Sequence, residues 1–145
     1  MSAKKAFSEE EQESIVHAIR EAEKDTSGEI RVHLDKACPG DSYKRAVKVF
    51  ENLHMHKTAQ RNGVLFYLSI EDHKLAIIGD KGINEKVPAD FWNEILNDVV
   101  QLFKQGKLAE GLAYGIAKAG QQLSAFFPYQ KDDHNELSND ISFDS

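Results

Sequence analysis

Hydrophobic positions first recur at helical spacing, with Ile15, Ala18, Ile19 and Ala22 falling on one face. Ser8-Glu-Glu-Glu11 in front of them is a capping box, in which the Ser hydroxyl and the Glu three residues on satisfy orphan backbone donors. The pattern predicts a helix from about Ser8 to Ser27-Gly28. Then the period changes to two. Ile30, Val32 and Leu34 alternate with Glu29, Arg31, His33 and Asp35, which predicts a half-buried strand with its polar residues on a solvent face. Asp41 can cap a second helix striped by Tyr43, Ala46, Val47, Phe50 and Leu53.

Gly63 to Ile70 is apolar on both faces, as a covered central strand should be. Lys74 to Gly79 follows after so short a connection that the two form an antiparallel hairpin. Pro88 suits the first turn of a third helix carrying Phe91, Trp92, Ile95, Leu96, Val99 and Phe103, and Gly106 can end it with a left-handed cap. Leu108, Leu112, Ile116, Leu123 and Phe127 stripe a fourth, whose Gly111 and Gly115 read as close-packing positions. After Phe127-Pro128 the chain is polar and acidic.

This order predicts an α/β fold: a three-layer α/β/α sandwich whose small mixed sheet, a parallel crossover plus an antiparallel hairpin, is flanked by about four helices. Residues 1–128 form one domain, and residues 129–145 form an acidic tail that is mobile or loosely docked. Topology also sorts the polar groups. With strands one and two parallel and strand three returning, Glu29 and Asp80 fall on one rim of the sheet, which His54 to Asn62 also reaches. Asp35, Glu71 and Asp72 fall on the opposite rim.

Composition narrows the function. With 18 Lys+Arg against 24 Asp+Glu, the formal charge of −6 argues against a nucleic-acid binder, which needs a basic stripe. The longest aliphatic and aromatic run, Val64 to Leu68, is far short of a membrane span. No apolar leader follows Met1, so the expected location is the cytoplasm and the expected state a monomer. Cys38 is alone, which excludes an internal disulfide.

The most suggestive chemistry lies in Asp80-Lys-Gly-Ile-Asn84-Glu85, where oxygen donors at spaced positions on a glycine-bent backbone could wrap a hard cation. Asp80 and Asn84 would supply side-chain oxygens and Glu29 a second carboxylate from the neighbouring strand. The structural alternative is an acidic turn whose Asp80 caps backbone donors. Zinc fits poorly, since His54 and His56 stand without a C-x-x-C or H-x-x-x-H framework. A cysteine-phosphatase loop is absent too, because Lys44 stands where the phosphate-cradling Arg would follow Cys38. No residue is assigned as catalytic, and no organic cofactor is expected.

Taken together, Arg61-Asn-Gly-Val-Leu-Phe-Tyr-Leu68, Ala76-Ile-Ile-Gly-Asp-Lys-Gly-Ile83, Phe91-Trp92 and Asp133-His-Asn-Glu-Leu-Ser-Asn-Asp-Ile-Ser-Phe143 resemble the TPM-domain family, in particular its short bacterial members. The resemblance implies an α/β/α fold and divalent-cation binding, Ca2+ or Mg2+, by acidic loop residues. It also implies an alternative, a metal-assisted acid phosphatase, an activity attributed to a chloroplast relative. The acidic tail itself gives a third reading, a noncatalytic partner-binding module whose tail docks on a basic protein partner. Many bacterial relatives carry a signal peptide and membrane anchor, neither of which is visible here.

Overall fold

The computed structural model of the protein describes residues 6–129 and 137–143. Ser8 starts the first helix as its sequence predicts: Glu11 N donates to Ser8 Oγ at 3.1 Å, and Ser8 N donates to Glu11 Oε1 at 2.9 Å. Helix α1 (Glu9–Ala22) leads to strand β1 (Glu29–Asp35), and α2 (Ser42–Asn52) crosses to β2 (Gly63–Ser69) and β3 (Lys74–Gly79). Three helices follow, α3 (Lys81–Lys86), α4 (Asn93–Lys104) and α5 (Leu108–Leu123), and then a short strand β4 (Ser142–Phe143).

The sheet runs in the order β3-β2-β1-β4. β1 lies parallel to β2 in the register Glu29↔Gly63 to Asp35↔Ser69, and β2 pairs antiparallel with β3 from Val64↔Gly79 to Ser69↔Lys74. Two cores flank this mixed sheet. One face carries Ile30, Val32, Leu34, Phe66 and Ile77 against α1, α4 and α5, and the other carries Leu65, Tyr67 and Ile78 against Ala46, Val49 and Phe50 of α2. Each Leu or Phe buried this way contributes roughly 1.5–3 kcal/mol, so the alternation along β1 and β2 is what fixes their register.

The helical glycines admit close packing. A Cβ on Gly115 would lie 2.7 Å from Val99 Cγ2, and one on Gly120 would lie 2.7 Å from Ala22 Cβ. Gly106, at φ +79°, follows the end of α4, where a left-handed residue costs glycine little.

Three local readings change. β1 is buried on both faces, not half-buried: Glu29, His33 and Asp35 are 3–5% exposed, because α2 and residues 137–143 cover the face that alternation assigned to solvent. The expected cation-wrapping loop after Asp80 is the one-and-a-half-turn helix α3, with Asp80 as its N-cap. The helix expected from Pro88 begins at Asn93, and Phe91 and Trp92 form the preceding turn, stacked edge to face with centroids 4.7 Å apart.

At the other end, Ser27 N donates to Phe127 O at 2.9 Å, which ties the start of β1 to the end of the helical layer. Of the acidic tail, residues 137–143 lie along β1, where β4 pairs His33↔Ser142 and Leu34↔Phe143. The tail carboxylates Asp132, Asp133, Glu136 and Asp144 lie outside the described residues.

Candidate functional site

The rim where β1 and β2 begin and β3 ends holds the sequence-predicted residues. Asp80 leaves β3 with its N–H donating to Gly63 O at 3.0 Å, which extends the row Glu29, Gly63, Asp80 across three strands. Neighbours in such a row share a face, and two strand spacings put the end residues about 10 Å apart. Gly63, between them, has no side chain, yet the space is filled: a Cβ there would meet Met55 O at 3.0 Å and Leu137 Cδ1 at 3.5 Å. Met55 and Leu137 thus stand between the two carboxylates. Glu29 turns to the tail, where its Oε1 accepts the Leu137 N–H at 2.7 Å.

Asp80 makes a different set of bonds. It caps α3 by accepting from Lys81 N at 2.7 Å, and it receives a two-pronged Arg61, Nε to Oδ2 at 2.8 Å and an Nη to Oδ1 at 2.9 Å. That hydrogen-bonded carboxylate holds the Arg61 guanidinium above its ordinary value. Arg61 itself sits at φ +51° in the left-handed region. Gly82 N donates to Arg61 O at 2.8 Å, and a Cβ on Gly82 would stand 2.2 Å from Gln60 O, so glycine is what lets the two backbones meet. Asn62 completes the approach: it is 2% exposed, its Nδ2 donates to Ser27 O at 3.1 Å, and its carbonyl accepts Glu29 N. Both motifs, Arg-Asn-Gly and Gly-Asp-Lys-Gly, therefore have a structural reason in this clamp.

Outside the clamp an open groove of about 680 Å³ is lined by Phe50, Glu51, His56, Arg61, Asp80, Asn84 and Glu85. Asn84 Nδ2 donates to Gly79 O at 3.1 Å, which leaves its Oδ1 for an ion or water. Asp80 and Asn84 thus share the groove, whereas Glu29 does not line it. Among the described residues no three His, Cys, Asp or Glu side chains converge as a ready-made metal site.

The opposite rim holds a cluster that the sequence reading missed. Asp35 accepts from Arg45 Nε at 2.8 Å and from Tyr67 OH at 2.5 Å, and His33 Nε2 lies 2.7 Å from its other oxygen. His33 stacks on Tyr67 at 5.9 Å between ring centroids, and its Nδ1 lies 2.9 Å from Ser142 Oγ. Burial pushes the Asp35 carboxyl up, but the bonds from Arg45, Tyr67 and His33 outweigh it and hold it below the usual carboxylate range. Burial, reinforced by Asp35, pushes the Tyr67 phenol well up. One signal was available: a tyrosine in an otherwise apolar central strand needs a partner for its hydroxyl, and Asp35 is on the adjacent strand.

Residues 2–122 match the TPM domain family. The chain belongs to it. A search of curated proteins finds no match. Among solved structures, this TPM domain is similar to the BA42 protein of the psychrophilic bacterium Bizionia argentinensis, at 51% identity over 95% of each chain with a TM-score of 0.90. It is also similar to the N-terminal domain of a P. gingivalis protein, at 19% identity over 88% of this chain and 83% of that one, with a TM-score of 0.72. An N-terminal domain from Corynebacterium glutamicum shares 13% identity over 93% of this chain and 79% of that one, with a TM-score of 0.64; these two likenesses are of fold. No helix among the described residues is long and apolar enough to cross a membrane.

Proposed function

We propose that this TPM domain binds a divalent cation, Ca2+ or Mg2+, reversibly in the groove beside Asp80, in exchange for the Arg61 guanidinium. One observation carries the reading. The Asp80 carboxylate already presents both oxygens to a cation, and that cation is on a side chain 45% exposed, at the wall of a groove that Glu51, Asn84, Glu85 and Lys81 also line, the Lys81 ammonium lying 4.0 Å from Glu85. Hard cations take six or more oxygens, so waters complete the sphere and the site is weak and exchangeable. Glu29 is not a ligand in this reading, since it does not line the groove and Met55 and Leu137 fill the space between it and Asp80.

Calorimetry and amide NMR of chelator-treated protein test it. Millimolar Ca2+ or Mg2+ should give saturable shifts at Asp80, Asn84 and Glu85, lost in Asp80→Asn and strengthened in Arg61→Ala, which removes the competing charge. Glu71→Gln on the opposite rim should change nothing. Absence of saturable binding in both the native chain and Arg61→Ala would sink the proposal.

A second reading, a metal-assisted phosphomonoesterase, draws on His56, which lines the same groove as Asp80 and could move a proton. Hydrolysis of p-nitrophenyl phosphate that disappears with chelator and with Asp80→Asn would favour it, and hydrolysis that survives Asp80→Asn would refute it.

A further inference from the structure

β3 ends the sheet, and among the described residues no strand pairs with its outer side. Which backbone groups this leaves follows from the register. Asp80 N donates to Gly63 O, so Lys74, Ala76, Ile78 and Asp80 turn their N–H and C=O groups toward β2. Leu75, Ile77 and Gly79 turn theirs outward. Among the described residues, Gly79 O alone is engaged there, by Asn84 Nδ2 at 3.1 Å, and a carbonyl keeps a second lone pair.

Such an edge is normally blunted by a proline, a bulge or an interior charge. β3 has none of these between Leu75 and Gly79. Its pairing with β2 runs unbroken from Val64↔Gly79 to Ser69↔Lys74, and Leu75-Ala-Ile-Ile78 is apolar. Beside it lies an open groove of about 360 Å³, where Tyr43 of α2 and Trp92 and Leu96 beside and within α4 rim Leu75, Ala76 and Ile77. α2 and α4 pack on opposite faces of the sheet, so a groove that both reach opens along the edge itself. Tyr43 is 59% exposed there.

We propose that the outer edge of β3 is a homodimer interface, to which a second copy adds its own β3 antiparallel about a two-fold axis at Ile77. The occupant is a second copy because the strand complements itself. Outward-facing residues pair with outward-facing ones, and an axis at Ile77 sets Leu75 opposite Gly79, Ala76 opposite Ile78 and Lys74 opposite Asp80. Each larger side chain faces a small one or its own twin, and each basic group faces an acidic one, the favourable cross-strand pairing. Moving the axis to Ala76 would set Asp80 opposite Asp72, and moving it to Ile78 would set Asp80 opposite Ala76. The contact is isologous and closes at two copies, since the joined sheet runs β4-β1-β2-β3-β3-β2-β1-β4 and ends on β4 at both sides. The monomer expected from the sequence is then the dilute form.

Sedimentation equilibrium of the full chain from micromolar to millimolar concentration should show reversible dimers. Over the same range the amide signals of Leu75, Ile77 and Gly79 should move, while those of Ile30 and Val32 in β1 stay. Leu75→Pro removes an outward N–H and spares the ladder to β2, as edge strands tolerate, so the fold should persist and the dimer should be lost. Lys74→Glu, at an exposed position, sets a carboxylate opposite Asp80 and should weaken association about threefold to tenfold. Lys104→Glu, exposed near the end of α4, makes the same change in net charge and should alter it less than about twofold. If Leu75→Pro misfolds, the two charge variants decide alone. A chain that stays monomeric at millimolar concentration without these amide shifts overturns the proposal. So does a dimer that survives in folded Leu75→Pro, or one that the two charge variants weaken equally. A monomeric chain whose Leu75, Ile77 and Gly79 amides shift saturably with a peptide of residues 73–81 would make the edge a site for a foreign segment and overturn the assignment to a second copy.

Discussion

Two buried carboxylates at opposite rims of one sheet, Asp80 and Asp35, are each gripped by an arginine, and they differ in their remaining partners. Arg61 on Asp80 is 45% exposed and Arg45 on Asp35 is 36% exposed, so exposure of the cation barely separates them. What separates them is the rest of the coordination. Asp80 adds its own helix N–H and then faces an open groove, while Asp35 adds a buried tyrosine and a stacked histidine. A carboxylate whose acceptor capacity is filled by buried side chains is a structural post. One whose main partner is a solvated guanidinium can exchange it.

The sharpest way to break that contrast is Asp35→Ala. It leaves Arg45, Tyr67 and His33 facing a void, and removing one partner of a buried ion pair costs about 3–5 kcal/mol. Urea unfolding should show this as a fall in midpoint; a loss under about 1 kcal/mol would mean the cluster holds little of the fold.

A third carboxylate shows what burial does without an arginine. Glu23 accepts the Ile30 N–H at 3.0 Å but meets no cation among the described residues, and burial, only partly offset by that bond, raises its pKa from 4.5 to about 7. The folded state then holds the proton more tightly than the unfolded chain, so stability falls as pH rises from about 4.5 to about 7 and stays reduced above that. The penalty is roughly 3 kcal/mol at pH 8. Glu23→Gln keeps an acceptor for Ile30 and should gain that amount at pH 8 and nothing at pH 4. Parallel pH profiles for the two proteins would contradict it.

The clamp that positions Arg61 is testable through Gly82. A Cβ there would press to 2.2 Å on Gln60 O and 2.6 Å on Arg61 O, both backbone atoms that cannot swing aside. Gly82→Ala should cost about 1–3 kcal/mol, the usual range for overpacking, and NMR should show the Arg61 side-chain Nε–H losing its slow exchange. A neutral outcome would mean that α3 shifts outward freely.

Much of this was legible in residue order, and the misses have physical causes. Alternation and the cap box placed α1, β1 and the hairpin because each signal is local. The same alternation misjudged the polar face of β1, since what covers it arrives from α2 and from residues 137–143, and no local pattern records such docking. The row joining Glu29 to Asp80 followed from topology alone. The bonds that commit those carboxylates did not, because Leu137 is more than 100 positions from Glu29. α3 was hidden by economy: Asp80 followed by glycine and Asn84 serves a cation loop and a short capped helix equally well, and six residues are too few to show a period.

The smallest expected effect is the one that decides the comparison. Asp80→Asn removes the charge but keeps an oxygen for Lys81 N, and the arginine it releases stays solvated at the groove wall. The substitution keeps an amide in the buried Asp80 position and the Arg61 guanidinium, 45% exposed, can be hydrated in its place, so the loss should be about 1 kcal/mol, below that of Asp35→Ala, which removes the whole acceptor from three partners. High salt should shrink it further, because screening acts on the partly exposed Arg61, whereas the neutral Tyr67 hydroxyl bond to Asp35 is not screened. If Asp80→Asn instead costs as much as Asp35→Ala, the two rims are equivalent posts, and the Asp80 groove loses its claim to an exchangeable cation.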